Sequence, residues 1–91
     1  MTIFIPTPLR ALAGGSKALE VSATTVAGAL DELTAAYPDL KKHLFNEQGK
    51  VRLFVNLYLN DEDVRYLPQK EDSPVTATDT LSIIPSIAGG L

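Results

Sequence analysis

The 91-residue chain has no cysteine and no tryptophan, a single methionine at its start and a single histidine, His43. Without a thiol, a disulfide framework, a thiolate nucleophile and a thiolate metal site are all excluded. Any sulfur chemistry must therefore use sulfur brought from elsewhere. His43 has no carboxylate or thiol companions at ligand spacing, so it reads as part of a solvated helix end beside Lys41 and Lys42, and no metal site is expected. Cations are scarce too: 8 Lys and Arg stand against 11 Asp and Glu, a net charge of -3. Phosphate backbones are held by concentrated Lys and Arg, so nucleic acid is a poor partner for this chain. No apolar run is long enough to span a bilayer, and no basic stretch leads into an apolar one at the start. The expectation is a cytoplasmic protein that binds no membrane.

What is present is ordinary globular material, with 45% hydrophobic and 21% charged residues. The length allows one small domain with one modest core. A cofactor cavity inside it would consume that core, so no bound cofactor is expected.

Ile3 and Ile5 alternate with Thr2 and Phe4, which predicts a short strand that bends at Pro6-Thr7-Pro8 and continues through Leu9 and Leu12 to a turn at Gly14-Gly15-Ser16. Lys17 to Val21 is predicted to return as the second strand of a hairpin. From Thr25 the period changes, with Val26, Leu30 and Leu33 at i, i+4 and i+7: an amphipathic helix capped by Thr24 or Thr25 and ended by Tyr37-Pro38. Pro38 opens a second short helix, Asp39 to Phe45, and Asn46 to Lys50 is a loop turned by Gly49.

Val51 to Asn60 alternates without a break. Val51, Leu53, Val55, Leu57 and Leu59 form an aliphatic face, and Arg52, Phe54, Asn56, Tyr58 and Asn60 form a polar face with two aromatic rings. Asn60-Asp61-Glu62-Asp63 is an acidic turn that lacks the glycine and distal glutamate of a calcium loop. Val64-Arg65-Tyr66 then pairs back, Leu67 to Ala77 connects irregularly, and Thr80 to Ile84 is the last strand, stopped by Pro85. One helix packed across a mixed sheet of four to five strands satisfies both periodicities with one core. That is the α+β β-grasp, or ubiquitin-like, architecture, in which the first and last strands lie side by side and parallel. The division is a β-grasp domain over residues 1–84 and an extended tail over 85–91.

The tail carries Gly89-Gly90, followed by Leu91. Six extended residues reach up to ~20 Å, enough to place a chain end in another protein's active site. Two glycines pass a narrow channel and leave the carboxyl carbon open from both sides. A frayed terminus is the competing explanation for the dipeptide alone. Its position after a β-grasp pattern favours the functional one.

Ile84-Pro85 at the close of the last strand and Ala88-Gly89-Gly90 at the end resemble the MoaD/ThiS sulfur carriers. The segments Ile5-Pro6-Thr7-Pro8-Leu9-Arg10, Phe54 through Arg65, and Ile84 through Gly90 are similar to the CysO branch, which serves cysteine biosynthesis. The likeness covers nearly the whole chain. Two departures stand out: Thr78-Asp79-Thr80 replaces a glycine-bearing turn, and Leu91 follows the glycines.

The resemblance implies a carrier that is not an enzyme, acting at Gly90, with Gly89 and Ala88 giving access. A carboxylate accepts sulfur poorly because oxide would have to leave, so an E1-like adenylating enzyme of the MoeB/ThiF type spends ATP to form an acyl-adenylate. Sulfur delivered by a sulfurtransferase displaces AMP and leaves a thiocarboxylate. In the cysteine branch that group attacks an activated serine on a pyridoxal-phosphate-dependent cysteine synthase, and hydrolysis frees cysteine and carrier. Leu91 blocks this as written, because Gly90 then lies in a peptide bond. Either a JAMM-type metalloprotease removes Leu91 or the residue is left by a C-terminal tag.

For docking, Phe4, Phe54, Tyr58 and Ile84 are expected to gather on the sheet face away from the helix, an apolar patch fitted to a partner. Cover by the 67–77 segment or by the bend at 6–12 is the alternative. Two other functions stay open: a ubiquitin-like modifier that passes activated Gly90 to a lysine amine, and the small subunit of molybdopterin synthase.

Overall fold

A computed structural model of the chain describes residues 1–53 and 55–85. Two of the site expectations, Phe54 and the segment holding Ala88, Gly89, Gly90 and Leu91, lie outside the described residues.

Five strands form one mixed sheet: β1 (Thr2–Phe4), β2 (Ala18–Glu20), β3 (Val55–Leu59), β4 (Glu62–Asp63) and β5 (Thr80–Pro85). Their order is β2-β1-β5-β3-β4. The first and last strands are parallel neighbours, with Thr2 opposite Thr80 and Phe4 opposite Ser82. β3 runs antiparallel on the other side of β5, pairing Val55 with Pro85 and Leu59 with Leu81. This is the β-grasp order expected from the alternation of periods.

Helix α1 (Val26–Ala36) starts where the sequence signals it, because the Thr25 hydroxyl accepts a hydrogen bond from the Gly28 N–H at 3.0 Å. It buries Val26, Ala29, Leu30 and Leu33, a stripe at helical spacing. The sheet meets that stripe with Ile3, Val55, Leu57, Leu81 and Ile83, all buried. Period two on the strands and period 3.6 on the helix thus close one core. A short helix α2 (Lys41–Leu44) follows a 3₁₀ turn at Pro38–Leu40 and adds Leu40 and Leu44 to that core.

Four local expectations need correction. The segment after Pro6 does not continue as strand but winds into 3₁₀ turns over Thr7–Ala13. Pro6 and Pro8 lack the N–H that a strand ladder requires, and the Leu9 N–H closes a turn onto the Pro6 carbonyl at 3.0 Å. Gly14 and Gly15, with φ of 63° and 83°, then reverse the chain into β2.

The third strand is shorter than its alternation. Residues 51–52 pair backwards instead: Val51 bridges Phe45, and the Arg52 N–H donates to the Leu44 carbonyl at 2.9 Å. The Asn46 side chain fixes the intervening turn by accepting from the N–H groups of Gln48 and Lys50. Leu53 is consequently outside the sheet and 85% exposed, not part of the buried aliphatic face.

Pairing back after the hairpin falls to Glu62–Asp63, while Val64–Tyr66 is a 3₁₀ turn. Asn60 takes a left-handed φ of 57°, which tightens the hairpin to the two residues Asn60 and Asp61. The Asp63 carboxylate then accepts from the Arg65 N–H at 2.9 Å and ends the strand as a cap. Finally, Pro85 does not stop the last strand but belongs to it. A strand that is about to end tolerates a proline because the missing N–H interrupts at most one ladder bond.

Candidate functional site

Two features of the sheet bear on partner recognition: its outer face and the point where the chain leaves it. On the outer face, one row runs Phe4, Ser82, Tyr58 and Asp63 across β1, β5, β3 and β4. The next row places Ile84 beside Asn56. Successive residues of a strand alternate between faces, so Phe4, Tyr58 and Ile84 all point away from α1. Phe4 and Ile84 are each 48% exposed, and Tyr58 is half-buried. Ile84 is the diagonal neighbour of both aromatic rings across the strands, so the three share one patch about 10 Å wide. Phe54, the fourth residue expected here, lies outside the described residues.

Arg65 borders this patch and carried no assigned role from sequence. Its Nη2 donates to Asp63 Oδ2 at 2.7 Å and to Asn56 Oδ1 at 2.8 Å, and its Nε donates to Asp63 Oδ1 at 3.2 Å. A charge-assisted fork of this kind holds a guanidinium in one orientation. The Arg65 hydrogen bond and charge pull the Asp63 carboxyl below the usual aspartate range, and the carboxylate in turn raises the Arg65 guanidinium. The spacing Asp63-Val64-Arg65 was the available sequence signal, an Asp cap followed two residues later by a cation.

A second acidic anchor lies at the opposite end of β3. Asp79 accepts from the Thr76 N–H at 2.8 Å and from the Asn60 side chain at 3.2 Å. Those bonds lower its carboxyl below the ordinary aspartate range, with the Thr76 N–H the largest cause. Asn60 thus ties the β3–β4 hairpin to the turn entering β5.

The exit of the chain is defined by register. Pro85, the last described residue, pairs with Val55 at the head of β3. Among the described residues no group of three or more His, Cys, Asp or Glu could hold a metal ion. No helix among them is long and apolar enough to cross a membrane.

With that geometry in place, the sequence model of the ThiS family matches residues 3–90. The chain belongs to the ThiS family. The family match ends at Gly90 and leaves Leu91 outside it. The sulfur carrier protein CysO of Mycobacterium tuberculosis H37Rv is 36% identical over 92 residues, covering 99% of this chain and 98% of that protein. Among solved structures, the Amycolatopsis orientalis BexX/CysO complex contains a chain that is 39% identical with a TM-score of 0.85, covering 98% of each. SAMP1 of Haloferax volcanii is 28% identical with a TM-score of 0.83, covering 99% of this chain and 98% of its own. These likenesses span the β-grasp domain and the Gly-Gly segment of this ThiS-family chain together.

Proposed function

We propose that this chain is a sulfur carrier whose Gly90 carboxylate becomes a thiocarboxylate, serving cysteine biosynthesis. The observation that carries this reading is that the family match runs through Gly90 and ends there, in a chain alike over its whole length to a sulfur carrier protein CysO. Gly90 must first become the chain end, by removal of Leu91. Its carboxylate then attacks the α-phosphorus of ATP on an adenylating enzyme, releasing pyrophosphate and forming an acyl-adenylate. The outer sulfur of a sulfurtransferase persulfide attacks the acyl carbon and displaces AMP, and a second thiol then cleaves the resulting acyl disulfide, forming a new disulfide and leaving a C-terminal thiocarboxylate.

The carrier's own contribution is presentation rather than catalysis. Its outer face, with Phe4, Tyr58 and Ile84, supplies an apolar surface for docking, and Arg65 adds a fixed positive group at the edge. Apolar centres rimmed by polar groups are how protein interfaces gain affinity and register. Gly89 and Ala88 let the end enter a narrow active site, that of the adenylating enzyme and then that of a pyridoxal-phosphate-dependent cysteine synthase. The carrier holds no cofactor of its own.

The SAMP1 likeness favours a second reading, because the Haloferax volcanii protein is a small archaeal modifier protein. There the same adenylate would be passed to a lysine amine, forming an isopeptide bond and releasing AMP. One measurement separates the two. The intact mass of the untagged protein from its own cells, taken before any acid or reducing step, is expected to show a species ending at Gly90 with one oxygen replaced by sulfur. If every molecule retains Leu91, or if Gly90 is found only in isopeptide linkage to other chains, the carrier reading fails.

A further inference from the structure

The register of the sheet sorts the charges of the molecule by end. Thr2 lies opposite both Glu20 and Thr80, and Leu59 opposite both Leu81 and Glu62, so Glu20, Asp61, Glu62 and Asp79 gather at one end of the strands. The segments that build that end, 1–4, 18–26, 58–63 and 76–82, contain no lysine or arginine. At the other end the Ile5 N–H donates to the Lys17 carbonyl at 2.8 Å, and Arg10 Nε donates to the Ile5 carbonyl at 3.0 Å. Arg52 stands there too, just ahead of Val55, with Lys41, Lys42 and Lys50 around it. Six of the 8 cations of the chain therefore share one end, a local positive excess on a molecule of net charge -3.

Within that end lies a shallow depression of about 300 Å3. Half-buried Phe45 gives it an apolar lining, and exposed Lys41, Lys42 and Arg52 stand around the ring. Arg52 is fixed in place, since its Nε donates to the Lys42 carbonyl at 2.8 Å and its N–H to the Leu44 carbonyl at 2.9 Å. The ion pairs among the described residues join Asp63 to Arg65 and the N-terminal amine to Glu20. None of them engages Lys41, Lys42 or Arg52. Helix polarity does not account for the cluster either, because α2 has only 4 residues and so short a helix has a small dipole.

Cations without internal partners, set around an aromatic ring, suit carboxylates that flank an apolar side chain. We propose that this depression is a docking surface for an acidic segment of a partner protein, with carboxylates on Lys41, Lys42 and Arg52 and an apolar side chain on Phe45. A phosphate backbone fits less well, because Asp39 and Glu47 line the same depression and repel it. A second copy fits less well too, since two chains of net charge -3 repel each other at long range. The opposed charges of the two ends also give the domain a direction in a partner's field, so it approaches cationic end first. Pro85 lies at that end, and the partner therefore meets the domain where β5 finishes. Docking here is independent of the chemistry proposed for Gly90.

The test uses the full chain, 15N-labelled, and a short synthetic peptide of glutamates around a central leucine. Docking predicts saturable shifts in the amides of Lys41, Lys42, Phe45 and Arg52 that fade at about 0.5 M salt, where charges are screened within a few ångströms. Lys41→Glu combined with Lys42→Glu should weaken binding about tenfold, whereas Lys41→Arg combined with Lys42→Arg should bind like the wild type. Unchanged amide positions in β5 serve to show that both variants are folded. Absence of saturable shifts at millimolar peptide would overturn the proposal. So would equal or tighter binding of a single-stranded oligonucleotide of matched charge, which would assign the surface to nucleic acid. Self-association of the free chain that the charge-reversed variant abolishes would overturn it as well, in favour of a second copy. No ATP, enzyme or sulfur source enters this experiment, so its failure leaves the carrier reading to be decided by intact mass.

Discussion

Arg65 reaches back from the turn after β4 to β3, where its Nη2 donates to Asn56 Oδ1 at 2.8 Å. The same nitrogen is 2.7 Å from Asp63 Oδ2, so one guanidinium joins two strands on the face that also carries Tyr58 and Ile84. This arrangement sets the pH behaviour of the hairpin. Asp63 has its pKa lowered by folding, so the stabilisation it gives is present above the unfolded aspartate value and is lost as pH falls through the lower folded value. A carboxyl 13C titration is expected to place Asp63 below an ordinary aspartate, and Arg65→Met to return it upward. An unchanged Asp63 midpoint in that variant would remove the pairing as the cause.

The outer patch gives the second prediction. Ile84→Asp and Phe4→Asp change exposed side chains, so thermal stability should move little, whereas a docking role makes them costly to partner binding. Truncation of an anchor residue at an interface typically costs about 2 kcal/mol or more, close to a thirtyfold loss of affinity. The rate of ATP-dependent activation of a chain ending at Gly90, measured below saturation, should fall by a comparable factor. Equal rates for wild type and both variants would mean the patch is not used in that step.

Thr25→Ala tests the start of the helix. Loss of the hydroxyl that receives the Gly28 N–H should cost about 1 kcal/mol of unfolding free energy. Urea denaturation reads this as a lower midpoint with an unchanged slope. Thr25→Ser, which keeps the oxygen, should recover most of the loss.

Leu81→Ala is expected to be far more damaging. Leu81 is fully buried in the middle strand, opposite both Ile3 and Leu59, and a cavity there should cost roughly 2–5 kcal/mol. In a domain of this size that is a large share of total stability, so a substantial unfolded fraction at ordinary temperature is the expected calorimetric result.

How far the sequence led can be judged from particular residues. Val26, Leu30 and Leu33 announced α1 and its buried stripe, and Thr25 proved to be the cap. The central place of β5 followed from the order of elements, since a crossover through a helix places the outer strands of the chain in parallel contact. Val51 and Leu53 misled because alternation measures only the side-chain period. It is blind to competition for backbone hydrogen bonds, and here Leu44 and Phe45 claimed residues 51–52 before the sheet could. Likewise Leu9 and Leu12 looked like strand until the missing N–H groups of Pro6 and Pro8 were counted. The shared outer face of Phe4, Tyr58 and Ile84 was legible from alternation together with the β-grasp strand order that sets β1, β5 and β3 side by side. The Arg65 fork was not, because it depends on a two-residue hairpin that brings Asp63 opposite Tyr58.

The parallel pairing of β1 with β5 has a mechanical meaning. A pull applied through Pro85 and resisted at Thr2 acts on opposite ends of two neighbouring parallel strands. Their hydrogen bonds are then loaded together in shear rather than broken one after another like a zipper. A partner that pulled on the chain through Pro85 would therefore load those bonds together. Shear loading of this kind would let the domain stay folded while its end is pulled.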